Sequence, residues 1–166
     1  MEATKICEQI FVDGTGPFQT TIAGNRYWYQ VVDDLTKTGW THFQPKKSKL
    51  DEHMNAFVIA QKAKGHIVKY IRCDGAGENK EPLKKMCDKH GIAMEKTAPD
   101  TPQQNGVVKR RITLLRQRAH AQLLSAGLDL KTCSNLWAAS VDMANKMENS
   151  DYLNSGSDDE SLHVFI

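Results

Sequence analysis

The sequence lacks a long apolar run. Its longest apolar segments, such as Phe57–Ala60, are far shorter than the roughly 20 residues that cross a bilayer as a helix. The first residues, Met1–Glu8, contain no apolar stretch as long as the core of a signal peptide. We therefore expect an intracellular protein, nuclear or cytoplasmic, that does not interact with a membrane.

Cysteine is scarce, and the cysteines are widely spaced. No two of the four form a C-x-x-C pair, which argues against a disulfide framework and against a zinc knuckle. Reduced structural thiols are the better interpretation. The four residues are Cys7, Cys73, Cys87 and Cys133.

The composition is that of one globular domain. The chain has 166 residues, of which 40% are hydrophobic and 25% are charged, and this balance is typical of a folded protein rather than a disordered one. We expect a core domain over residues 8–149. Residues 1–7 are interpreted as an N-terminal extension and residues 150–166 as an acidic, flexible tail.

The charges are unevenly distributed, although the net charge is only +2. The segment Gly106–His120 has five Lys or Arg residues and no acid, whereas Glu148–Ile166 has five acids and no Lys or Arg. Such an asymmetry indicates one element that faces a polyanion and a solvated acidic end.

The periodicity of apolar residues predicts an α/β domain with a mixed five-stranded sheet flanked by helices. Three antiparallel strands come first, and later strands alternate with helices, which gives the order β-β-β-α-β-α-β-α-α. The predicted strands span Glu8–Asp13, Arg26–Asp33, Trp40–Gln44, Ile67–Cys73 and Ile92–Lys96, and the predicted helices span Lys47–Lys64, Glu81–His90, Val107–Ser125 and Leu136–Met147.

Two aspartates follow predicted strands. Asp13 ends the first strand and Asp74 follows the fourth. If these strands are neighbours, the two carboxylates face one another and require a proton or a divalent cation between them. The alternative is that each is a turn residue, because Asp13 and Asp74 both precede glycine. The pair Asp33-Asp34 is better interpreted as a strand end than as a site.

The sequence also contains a series of short motifs: Asp13–Phe18, Gly24–Tyr27, Arg72–Glu78, His90–Ile92, Thr97–Val107, Leu136–Ala138 and Leu162–Phe165. In this order and spacing, they resemble the integrase catalytic core of copia-type LTR retrotransposons. The run of Thr-Pro-Gln-Gln-Asn-Gly is the most specific of them. The resemblance implies an RNase H-like fold and a D,D-E triad that holds two Mg²⁺ or Mn²⁺ ions for attack on a DNA phosphodiester.

The resemblance assigns Asp13 and Asp74 to the first two metal-binding acids, but the position of the third holds Lys109. An ammonium repels a dication where a carboxylate would bind it, so we expect catalysis to be lost. Lys109 could instead form a salt bridge with Asp13 or Asp74, or it could be a solvated helix residue. For activity to remain, Glu78 or Glu95 would have to supply the third carboxylate.

The long helix after residue 106 is the predicted nucleic-acid-binding element. Its cations are placed on the side away from Leu114 and Ala121, where they could contact DNA phosphates weakly and without sequence preference. A merely solvated cationic face is the alternative. The predicted contacts are Gln103, Gln104, Asn105, Lys109, Arg110, Arg111, Arg116 and Arg118. By contrast, the strand aromatics Trp28, Tyr29 and Trp40 are expected in the core.

Three functions remain open at the level of sequence. The chain could be an active, metal-dependent polynucleotidyl transferase, a degenerate integrase core that binds nucleic acid weakly, or a dimeric adaptor. We favour the degenerate core. Charge reversal at Arg110 and Arg111 is expected to separate DNA binding from self-association.

Overall fold

The computed structural model describes residues 3–73, 80–96 and 106–155. Its elements follow the predicted order, with one short 3₁₀ turn, Lys47–Lys49, before the first helix. The strands are β1 (Gln9–Thr15), β2 (Tyr27–Asp33), β3 (Gly39–Gln44), β4 (Tyr70–Cys73) and β5 (Ala93–Lys96), and the helices are α1 (Leu50–Ala63), α2 (Lys80–His90), α3 (Gly106–Ser125) and α4 (Leu130–Ser155).

The five strands form one mixed sheet in the order β3-β2-β1-β4-β5. β1 is antiparallel to β2 and parallel to β4, so the first and fourth strands of the sequence are neighbours. β5 is parallel to β4, which completes the parallel half of the sheet. The predicted mixed α/β sheet is confirmed.

Two hydrophobic clusters cover the two faces of the sheet, because alternate side chains of a strand point to opposite sides. Ile10 and Val12 of β1 pack with residues of α1 and α2, whereas Phe11 packs with residues of α3 and α4. Trp28 and Tyr29 are buried as predicted. Full burial of a side chain such as Leu115 stabilises the fold by about 1.5–3 kcal/mol.

The last helix is longer than predicted. It begins at Leu130 rather than Leu136, because the carboxylate of Asp129 accepts the backbone N–H of Thr132 at 3.0 Å and caps the helix. It continues to Ser155, so residues 150–155, assigned to the flexible tail, are helical. Residues 156–166 lie outside the described part of the chain.

The predicted N-terminal extension packs onto the domain through Ala3 and Cys7, both of which are buried. The carboxylate of Asp33 holds this segment, because it accepts the backbone N–H of Cys7 at 2.8 Å and the hydroxyl of Thr36 at 2.7 Å. Asp33 therefore ends β2 in a structural role, as predicted.

All four cysteines lie in the described ranges, and no disulfide joins them. Desolvation raises the pKa of the Cys7 thiol to about 12 and that of Cys87 to about 11, so both thiols are protonated at neutral pH. Over residues 3–73, 80–96 and 106–155, none of the helices combines the length and apolar character needed to cross a membrane.

Candidate functional site

Asp13 lies inside β1 rather than in a turn, so its interpretation as a turn residue is wrong. It pairs with Gln30 of β2, and its carboxylate accepts the backbone N–H of Gly14 at 2.9 Å. Gly14 is required for packing, because an added Cβ would lie 2.4 Å from the ring of Tyr29. Asp13 is half-buried near the end of a central strand, where a side chain can reach a ligand at the edge of the sheet.

The register of β1 and β4 brings the predicted pair of aspartates onto neighbouring strands. Val12 pairs with Cys73 at the end of β4. In the sequence, Asp13 directly follows Val12 and Asp74 directly follows Cys73. Asp74 itself, together with Glu78, lies outside the described residues. The facing of the two carboxylates therefore remains a prediction.

Lys109 is an exposed residue in the first turn of α3. The preceding residue, Val108, is fully buried and anchors this turn in the cluster that contains Phe11. Asp13 is two residues from Phe11 and faces the same side of the sheet. Lys109 and Asp13 thus belong to the same face of the domain, where the positive end of the α3 dipole adds to the charge of the ammonium.

Glu95 is not available as a substitute acid without breaking an existing ion pair. Its carboxylate accepts Nε of Arg72 at 3.0 Å, on the adjacent strand. Arg72 also lies over the ring of Phe11, with 5.5 Å between the guanidinium carbon and the ring centroid. The ion pair with Glu95 therefore holds the side chain of Arg72 against the sheet.

Two of the five predicted DNA-contacting cations interact with side chains of α4. Arg111 is only 5% exposed and donates to Asn145 Oδ1 at 3.0 Å and to Asn149 Oδ1 at 2.6 Å. Arg118 lies 2.5 Å from the buried carboxylate of Glu148. The prediction that Arg111 is exposed is wrong, because α4 covers that side of α3, and burial lowers the pKa of its guanidinium.

The exposed face of α3 differs from the predicted one. Lys109, Arg110 and Arg116 are exposed, whereas Leu114 is half-buried and Ala121 is exposed rather than buried. The true buried face consists of Val108, Arg111, Ile112, Leu115 and Ala119. Gln103, Gln104 and Asn105 lie outside the described part of the chain, so their predicted contacts are untested.

Sequence reasoning missed a groove beside this face. It has a volume of about 420 Å³ between α3, α4 and the segment after β1. The rings of Phe18 and Trp137 meet there with their centroids 4.7 Å apart, and the indole N–H of Trp137 donates to the carbonyl of Gln19 at 2.7 Å. Both aromatic residues belong to the quoted motifs. They are more than 100 residues apart in the sequence, so the sequence does not indicate that their rings are in contact.

A pair of histidines was also missed. The rings of His42 on β3 and His53 on α1 lie 5.7 Å apart between centroids, and Phe57 packs edge-on against His42. Burial, and then the charge of His53, lower the pKa of His42 to about 4. Residues 42 and 53 are on different elements, so their spacing along the chain does not predict that their rings are in contact.

The described side chains do not by themselves fit a two-metal centre. Asp13 offers the carboxylate oxygens that Mg²⁺ or Mn²⁺ prefers, but a protonated Lys109 offers no lone pair. In residues 3–73, 80–96 and 106–155, no group of three or more His, Cys, Asp or Glu side chains is placed to hold a metal ion.

Comparison with known proteins finds a sequence relative among retrotransposon polyproteins. The retrovirus-related Pol polyprotein from transposon TNT 1-94 of Nicotiana tabacum, a copia-type element, is 28% identical over 142 residues. The match covers 84% of this chain and 10% of that polyprotein, so the chain spans about a tenth of its relative's length. No protein-family model matches the chain.

Solved structures show the same fold. The catalytic core domain of BIV integrase superposes with a TM-score of 0.58 at 17% identity, covering 92% of this chain and 97% of that one. A chain of the simian T-cell lymphotropic virus intasome in complex with PP2A regulatory subunit B56 gamma gives a TM-score of 0.59 at 12% identity, covering 81% and 47%. The chain therefore has the RNase H-like fold of integrase catalytic cores.

Proposed function

We propose that this chain is a degenerate retrotransposon integrase core that has lost metal-dependent strand transfer and binds nucleic acid weakly and without sequence preference. The observation that carries the proposal is the position of Lys109. It occupies the first turn of α3, a turn without any acidic residue, on the face of the sheet to which Asp13 points.

Electrostatics supports the loss of catalysis. At a separation of about 4 Å and an effective dielectric constant near 20, one pair of unit charges interacts by roughly 4 kcal/mol. Replacing a carboxylate with an ammonium reverses the sign of that interaction with a cation. A barrier higher by about 4 kcal/mol slows a reaction by close to three orders of magnitude.

Retention of nucleic-acid binding is supported by the surface of α3. Lys109, Arg110 and Arg116 are exposed, and the positive end of the helix dipole adds to the charge of Lys109 in the first turn. Backbone phosphates are attracted by such a surface without any reading of bases. With so few cations, we expect affinity to be low and to fall steeply with salt.

Calorimetric titration with Mn²⁺ tests the central part of the proposal. The chain should bind Mn²⁺ at least tenfold more weakly than Lys109→Glu, because the variant restores an oxygen ligand and removes a positive charge. The double variant Asp13→Asn, Lys109→Glu should lose the increase in Mn²⁺ affinity. Arg110→Glu is the matched control, since it changes charge equally at the next residue and should create no site. Equal Mn²⁺ affinity for the chain and Lys109→Glu would overturn the proposal.

Self-association as a dimeric adaptor is the second candidate function. It is favoured by apolar side chains on the outer surface of α4, where Met143 is 60% exposed and Met147 is 50% exposed. Charge reversal at Arg111 is unsuitable as a test, because that residue is buried. Sedimentation analysis should instead show that Met147→Glu dissociates a dimer and that Arg110→Glu does not. A monomeric parent chain would exclude this candidate.

A further inference from the structure

The groove beside α3 has the lining of a site for a flat, anionic molecule. Its floor includes the fully buried ring of Trp28, and its wall carries the half-buried rings of Phe18 and Trp137. Its volume of about 420 Å³ is within the range of ligand pockets. The residues that line it include no carboxylate.

We infer that this groove binds one unpaired base of a single-stranded nucleic acid, with the base stacked beside Phe18 and Trp137 and its phosphate at Arg116. The class of ligand rests on the proposed function, whereas the site and the mode of binding go beyond it. Aromatic rings accept any base, because every base has a π face.

The aromatic pair is held in place by a hydrogen bond and by a third ring. The hydrogen bond from the Trp137 indole to the carbonyl of Gln19 fixes one edge of the indole, and the ring of Phe43 packs edge-on behind it with 5.7 Å between centroids. Phe18 and Trp137 line the groove whereas Phe43 does not, so Phe43 supports the pair from the side away from the groove.

Arg116 is the cation among the residues that line the groove, and it favours an anionic ligand. The guanidinium carbon of Arg116 lies 5.8 Å from the centroid of the Phe18 ring, and His120 and Gln117 lie on the same side of the helix. Within the described ranges, Arg116 forms no ion pair with a carboxylate. An acidic peptide would meet the same cation, but a peptide backbone gains little from two stacked rings, so the nucleic acid is favoured.

The groove and Lys109 are aligned along α3. Residues 109, 113, 116 and 120 recur at the spacing of one helix face, and Thr113 and Arg116 line the groove. The rise of about 1.5 Å per residue places Arg116 roughly 10 Å from Lys109 along the axis.

The test compares two oligonucleotides of equal length and charge, a thymidine 12-mer and its abasic counterpart, by fluorescence anisotropy. Phe18→Leu keeps an apolar side chain but removes the ring, and Phe57→Leu, in the cluster on the opposite face of the sheet, is the matched control. We expect the parent chain and Phe57→Leu to prefer the thymidine strand by about tenfold. Phe18→Leu should lose that preference and keep the parent's affinity for the abasic strand.

Tryptophan fluorescence supplies an independent readout of stacking. Thymidine 12-mer should quench the parent chain and Trp40→Phe equally, whereas Trp137→Phe should bind but show little quenching. Equal affinity of the parent chain for both strands would overturn the groove site while leaving the proposed nucleic-acid binding intact. Failure to bind either strand would refute both. Dissociation of a dimer by Phe18→Leu would show that a second copy occupies the groove and would also overturn the site.

Discussion

The guanidinium of Arg111 lies between α3 and α4, in contact with two asparagines and near a glutamate. Asn145 and Asn149 accept its hydrogen bonds, and Glu148 lies 3.7 Å away with both side chains less than a tenth exposed. The same asparagines donate to the carbonyl of Gly39 at the start of β3. Arg111 therefore connects two helices with the edge of the sheet.

Arg111→Met is predicted to lower the free energy of unfolding by about 3–5 kcal/mol, because it leaves Glu148 buried with a weaker counter-charge and removes hydrogen bonds. Arg110→Met, at the adjacent exposed position, is the control and should change it by less than about 0.5 kcal/mol. Urea denaturation followed by circular dichroism measures both. Similar values for the two variants would show that the network contributes little to stability.

His42 is predicted to make stability depend on pH. Because the folded protein lowers its pKa to about 4, whereas the unfolded chain takes up a proton below about pH 6.5, its contribution is present above pH 6.5 and is lost as the pH falls toward 4. One pKa unit corresponds to about 1.4 kcal/mol, so the loss amounts to up to about 3 kcal/mol.

Urea denaturation at pH 7 and pH 5 tests this prediction. His42→Gln should reduce the difference in unfolding free energy between the two pH values. His120→Gln, which alters an exposed imidazole on α3, should retain it. The account of His42 is wrong if both variants keep the parent's pH dependence.

At the scale of the element, α3 separates a buried face from an exposed cationic face, and the exposed face should set the salt dependence of nucleic-acid binding. Each phosphate contact contributes about 0.7 to the slope of log K against log salt for single strands. Arg110→Gln should therefore lower the slope by about 0.7, and a smaller change is expected for Arg118→Gln, since Arg118 is already paired with Glu148. Anisotropy titrations between 50 and 200 mM salt measure the slopes. Equal slopes for the parent and Arg110→Gln would contradict the assignment.

The sequence predicted that α3 is a helix but not which of its faces is buried. Charged residues are normally exposed, so the pattern placed Arg111 with the other cations. The leucines at 114, 123 and 124 lie off the buried face and make the apolar periodicity of the helix less regular. Only the position of α4, with its buried Asn145 and Glu148, shows that an arginine belongs inside. Long-range pairing of this kind has no local signal.

For the whole molecule, the periodicity predicted the order of the elements along the chain, and the resemblance implied an RNase H-like fold. The neighbouring placement of β1 and β4 was only a condition at that point, and the structure established it. The two faces of the sheet could also be predicted, because alternation in β1 assigns Phe11 and Asp13 to one side. The groove could not, since it joins Phe18 to Trp137 across the chain. Sequence thus predicts the scaffold and its carboxylates, and the contacts between distant elements come only from the structure.

In the proposed function, the positive charge of Lys109 prevents metal-dependent catalysis beside Asp13. The most direct measurement is a DNA disintegration and strand-transfer assay in Mn²⁺ that compares the parent chain with Lys109→Glu and with the double variant Asp13→Asn, Lys109→Glu. We expect no activity for the parent chain, activity for Lys109→Glu, and loss of that activity in the double variant. Mn²⁺-dependent activity of the parent chain would refute the proposed role of Lys109.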